Sequence, residues 1–160
     1  MEKTLIIGYG NPDREDDGVA WHVLALLWER FSHGAAPSPH EGFPPDGSNP
    51  AFLFTLQLTP ELAELLADYQ RVCFVDAHSG NFLEEVHLEP LPARYQASPF
   101  THHLTPAACL VLAQALYGRK PEAVLVSVQG YQFDFSQSLS KRTEELVLQA
   151  ADLIWDWLDL

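Results

Sequence analysis

Cysteine and basic residues are scarce in this chain. Of 160 residues only two are cysteines, Cys73 and Cys109, with no CxxC spacing. That argues against a disulfide-stapled fold and a paired-cysteine zinc site. Each thiol falls inside an apolar run, so buried free thiols in a reducing cytosol are expected. Lys and Arg number nine against 22 Asp and Glu, for a net charge of −13. A phosphate backbone is bound by clustered Lys and Arg, so neither nucleic acid nor an anionic membrane surface is expected as a partner. The acidity fits a basic partner surface or simply solubility. Long apolar runs are missing too. The start carries only Leu5-Ile6-Ile7, far short of a signal-peptide core, and no stretch approaches the roughly 20 residues of a membrane span. A cytoplasmic chain without membrane attachment is the expectation. Common hydrolase signatures are also absent: there is no Gly-x-Ser-x-Gly nucleophile, no HExxH metal site and no paired Asp-Thr/Ser-Gly.

What the chain does have is apolar material, 47% of its residues, enough for one ordinary core and a single domain over 1–160. Lys3 to Gly8 reads as a buried strand ending in a tight Gly-Tyr-Gly-Asn loop. Asp17 to Phe31 has helical apolar spacing, with Asp16 placed as its N-cap. Residues 34–50 hold five Pro and three Gly and read as a loop insert without a buriable stripe. Ala51 to Leu56 is a second strand, and Thr59-Pro60-Glu61 starts a helix that runs to about Tyr69. Arg71 to Ala77 is an apolar run suited to mid-sheet, and Glu84 to Pro90 alternates like a strand nearer the edge. Thr105-Pro106 opens a helix that stops at Gly118, Ala123 to Val128 is another buried strand, and a last helix starts near Ser140. Five strands interleaved with four helices make a three-layer α/β/α fold. Its sheet is mainly parallel, with at least one antiparallel neighbour forced by the short link from Ala77 to Glu84. Leu5, Ile7, Cys73, Val75, Val124 and Val126 are expected in the core.

In open α/β sheets, function gathers beyond the carboxyl ends of the strands. Three such places hold unusual residues: Gly8 to Gly18, Val75 to Gly80, and Thr101-His102-His103-Leu104. The first begins like a dinucleotide fingerprint but lacks the third glycine. Four of the six residues before Gly18 are acidic, which would repel a pyrophosphate. A tight turn capped by Asp16 accounts for Gly8, Gly10 and Asp16 but leaves Asp17 unused. Asp76 closes an otherwise apolar strand, a costly place for an acid unless it is solvated, hydrogen-bonded or metal-bound. It could also cap a neighbouring loop, and either histidine could face solvent. Asp76, His78 and Ser79 are too close in sequence to form a triad. Two carboxylates and an imidazole on strand-end loops suit a borderline divalent ion such as nickel, zinc, manganese or iron.

Gly8-x-Gly10-Asn11, then Asp16-Asp17-Gly18, Val75-Asp76-Ala77 and His102-His103-Leu104 resemble, in that order, the hydrogenase maturation endopeptidase family. The likeness runs from Leu5 to about Val128. Gln57-Leu58-Thr59-Pro60-Glu61-Leu62 is similar to the subgroup serving soluble, bidirectional-type hydrogenases. The resemblance implies an aspartic-type peptide-bond hydrolase that makes one cut in the [NiFe]-hydrogenase large-subunit precursor, removing its C-terminal extension after nickel insertion. It implies that Asp17, Asp76 and His102 are the catalytic and nickel-contacting residues, with nickel borne by the substrate and the enzyme acting as a monomer. A one-residue slip would move the third ligand to His103. Asp17 departs from the Glu of many members, and the insert at 34–50 is unusual. Two other classes compete: a non-proteolytic, metal-sensing assembly chaperone, and a nucleotide- or phosphate-binding α/β module disfavoured by the acidic loop.

Overall fold

The computed structural model describes residues 2–31, 34–43, 47–93 and 104–159. Their order is β1 (Thr4–Tyr9), a 3-10 turn (Glu15–Gly18), α1 (Val19–Arg30), β2 (Ala51–Thr55), α2 (Leu62–Ala67), β3 (Arg71–His78), β4 (Val86–Pro90), α3 (Pro106–Tyr117), β5 (Glu122–Gln129) and α4 (Lys141–Leu158). The strands form one sheet in the order β2-β1-β3-β5-β4. All neighbours are parallel except β4, which runs antiparallel to β5 at the sheet edge. The antiparallel strand therefore exists as the short link after β3 requires. Its partner, however, is β5 and not β3, because β5 is inserted between them.

Alternation along the buried strands explains their continuous apolar sequence. Ile6, Cys73, Val75, Val124 and Val126 face α1 and α4, whereas Leu5, Ile7, Val72 and Phe74 face α2 and α3. With helices on both faces, successive side chains are all buried. The expected core is thus present, divided by the sheet into two halves, and all six residues expected in it are buried. Cys73 and Cys109 are buried free thiols, and burial pushes the Cys109 thiol up to about 12.

Helix ends follow local chemistry. Thr105 Oγ1 accepts from Ala108 N at 3.1 Å with Pro106 in the first turn, and Gly118 closes α3 at φ 72°. The matching signal at Thr59-Pro60 gives a weaker result. There Leu62 N and Ala63 N donate to the carbonyls of Thr59 and Pro60, a turn of i→i+3 bonds, and the α-helix is confined to Leu62–Ala67. Segment 34–50 also departs from expectation. Phe43 is 8% exposed and packs at 5.1 Å from Trp28 and 5.7 Å from Phe52, ring centre to ring centre. Phe43, not a periodic stripe, packs this segment into the core, with Ala36 against the same core and Asn49 Oδ1 accepting from Thr4 N at 3.0 Å.

Candidate active site

The site lies where neighbouring strands send the chain to opposite faces of the sheet. β1 leads through the 3-10 turn into α1 on one face. β3 leads by way of β4 to α3 on the other. Such divergence opens a crevice above the strand ends. Asp17 arrives from the first connection and Asp76 from the end of β3. Both line the same two adjoining cavities, of about 370 and 490 Å³. The two acids singled out in the sequence are therefore together. His102 and its neighbour His103 lie outside the described residues. The chain is described again from Leu104, which lines the larger cavity beside Tyr9, Asp17 and Asp76.

The glycine loop that carries Asp17 is folded tightly on itself. At Gly10 φ is +140° and an added Cβ would sit 2.1 Å from the Asp17 carbonyl oxygen. A Cβ on Gly18 would sit 2.6 Å from Pro12 Cα. Glycine at both positions lets the loop return, so that Asn11 N donates to Asp17 Oδ2 at 2.8 Å. This bond fixes the carboxylate while leaving it half-buried in the crevice.

Asp76 is held differently. Ala77 N donates to its Oδ1 at 2.7 Å, and the Tyr9 hydroxyl hydrogen-bonds to the same carboxylate. Burial pushes its pKa up to about 7. The Ala77 amide and the Tyr9 hydroxyl pull the other way, and the Asp17 charge adds a further push. Burial, and then the Asp76 charge, raise Tyr9 well above the ordinary phenol value. Tyr9 therefore acts as a fixed donor. A carboxyl that titrates near 7 is suited to accepting or giving a proton at neutral pH. Asp17 and Asp76 also offer two oxygen ligands to a cation. Among the described residues no three His, Cys, Asp or Glu form a metal-ligand group.

Asp16 has another role than the helix cap assigned from sequence. The residue before α1 is Gly18, without a side-chain cap, and Asp16 is fully buried. Its Oδ1 accepts from Ser140 N at 2.7 Å, and its Oδ2 from Tyr131 N (2.7 Å), Gln132 N (3.0 Å) and Ser140 Oγ (2.6 Å). Burial raises its pKa, but these donors outweigh it and the net shift is downward. Asp16 thus ties the loop after β5 and the start of α4 to the 3-10 turn that carries Asp17. Sequence reasoning also missed Tyr9, and it weighed His78 only as a triad member. The parallel pairing of Gly8 with Val75 sets Tyr9 beside Asp76, a register that the sequence does not display. His78 is buried at the cleft wall, where its Nδ1 accepts from Gly80 N at 3.1 Å and its Nε2 is 3.2 Å from the Glu85 carbonyl. Those bonds make it a support of the β3–β4 link.

These features define an α/β/α protein with an acid pair in the crevice between β1 and β3. Several solved structures with this fold are hydrogenase maturation proteases, in agreement with the motif resemblance. Hydrogenase maturating endopeptidase HybD from E. coli superposes with a TM-score of 0.68 at 18% identity, over 98% of this chain and 92% of that one. A hydrogenase 2 maturation peptidase from a Thaumarchaeota archaeon gives 0.65 at 25% identity, over 99% of both chains. The [NiFe] hydrogenase maturation protease HycI from Thermococcus kodakarensis gives 0.65 at 20%, over 99% and 94%. No protein-family model and no curated protein matches the sequence.

Proposed function

We propose that this chain is an endopeptidase of hydrogenase maturation, which removes the C-terminal extension of a [NiFe]-hydrogenase large-subunit precursor. The observation that carries the reading is the convergence of Asp17 and Asp76 in one crevice, within a fold whose solved neighbours bear that name. In this reading nickel comes with the substrate, and Asp17, Asp76 and His102 complete its coordination. Two carboxylates and one imidazole are a weak nickel site by themselves, since nickel favours more ligands and softer partners. Water attacks the scissile carbonyl, giving its proton to a base and opening the peptide to an acid and an amine. Asp76 is suited to that base role by its elevated pKa, and a hydroxide on the substrate's nickel is the other route. The enzyme acts as a cytoplasmic monomer on a soluble, bidirectional-type hydrogenase.

The test is processing of nickel-loaded precursor by variants, followed by mass spectrometry. Asp17→Asn, Asp76→Asn and His102→Ala should each abolish the mass loss, while His103→Ala retains it. Processing by both carboxylate variants at the wild-type rate would remove the acid pair from the chemistry.

A further inference from the structure

The acid pair sits in the middle of a longer depression. A third cavity of about 460 Å³ lies at the β2 end of the sheet and shares Asn11 and Leu56 with the 490 Å³ cavity. The latter in turn shares Asp17 and Asp76 with the 370 Å³ cavity. Shared lining residues place the three cavities side by side across the strand ends from β2, over β1 and β3, to β5. Three inter-strand steps span roughly 14 Å, and His40 at one end and Phe82 at the other extend the walls further. That suits about six residues of extended chain, at roughly 3.3 Å each.

The two ends differ in chemistry. At the β2 end Asp13 is held by Gln137 Nε2 at 2.9 Å and faces His40 Nε2 at 3.3 Å, both on its Oδ1. Its other oxygen has no hydrogen-bond partner among the described residues. Pro39 and His40, which close this end, come from the 34–50 segment. At the opposite end Phe82 lies stacked on His87 with ring centres 4.1 Å apart, and edge-on to His78 at 5.2 Å. Phe133 lines the same cavity, and its carbonyl accepts from Arg14 Nη2 at 2.9 Å. One end thus presents a carboxylate and the other two ordered aromatic rings.

We propose that the three cavities are one peptide groove, which places a cationic side chain at Asp13 and an apolar one against Phe82 and Phe133, on opposite sides of the acid pair. This rests on the peptidase reading above. It makes Asp13, His40 and Phe82 residues of specificity, outside the reaction itself. Charge complementarity at the exposed carboxylate and apolar burial at the rings select the occupant.

The test is an NMR titration of ¹⁵N-labelled Asp76→Asn protein at pH 7.5. The ligands are two blocked hexapeptides, Lys-Ala-Ala-Ala-Ala-Phe and its reverse, used up to a few millimolar. One chain direction should shift the amides of Thr55 and Leu56 together with those of Ser79 and Phe82. Replacing Lys by Glu, or Phe by Ala, should weaken binding at least five-fold, and Asp13→Asn should erase the preference for Lys over Glu. Shifts at one cavity only, equal binding of the Lys and Glu peptides, or no shifts with either direction would overturn the proposal. Peptide binding as described with no cut in nickel-loaded precursor would reject the peptidase reading and leave the groove standing. Precursor cut at unchanged KM by Asp13→Asn and Phe82→Ala would do the reverse.

Discussion

Burial gives Asp76 a cost in stability and, under the proposed function, a use in chemistry. Its pKa lies near 7 in the folded chain, against 3.8 ordinarily, so between about pH 4 and 7 the folded state keeps a proton that the unfolded state has lost. Stability from this group is therefore present at low pH and is lost as pH rises through 7, by an amount on the order of 2–4 kcal/mol. Asp76→Asn should raise the thermal midpoint at pH 8 and leave it unchanged near pH 4, as a melting series would show. Processing should run the other way. It should fall by at least about 100-fold in the variant, and in the wild type it should decline below pH 7 as the carboxyl is protonated. Asp16 behaves oppositely. Its pKa is depressed, so its contribution is present above the ordinary carboxyl value and lost in acid. Asp16→Asn would set an amide donor among buried donors and should cost about 3 kcal/mol or more in urea unfolding at pH 7. Sequence pattern separates these neighbours poorly. Asp16, Asp17 and Asp76 were each visible as acids near strand ends. Only the path of the loop after β5 assigns Asp16 to the frame and Asp17 to the crevice.

At the scale of elements, periodicity located the strands because a sheet covered on both faces needs unbroken apolar runs, as at Val72-Cys73-Phe74-Val75. Edge strand β4 was recognisable from its alternation. The pairing of β4 with β5 was not, since strand order depends on packing between segments far apart in sequence. Local capping was legible where the hydroxyl reaches its amide, as at Thr105. It misled at Thr59, where the first turn closes by i→i+3 bonds. The insert misled for another reason. Its Pro and Gly content hides a single anchoring ring, and one aromatic has no period to detect. Phe43→Ala should accordingly destabilise by about 2–4 kcal/mol in chemical denaturation, while Leu148→Ala, on the exposed face of α4, should change stability by less than about 0.5 kcal/mol. Equal effects would show that the ring is not part of the packed core.

At the scale of the molecule, a net charge of −13 surrounds a crevice with two carboxylates and no cysteine at the strand-end loops. Such a surface suits a cation that a partner already holds more than it suits a nickel ion captured from solution. Under the proposed function, nickel in the precursor is therefore the condition for cutting. The direct measurement gives the same enzyme, in excess, to nickel-loaded and nickel-free precursor and follows each by mass spectrometry. The nickel-loaded chain should lose its C-terminal extension while the nickel-free chain keeps it. Equal cutting of both would contradict substrate-borne nickel as the signal.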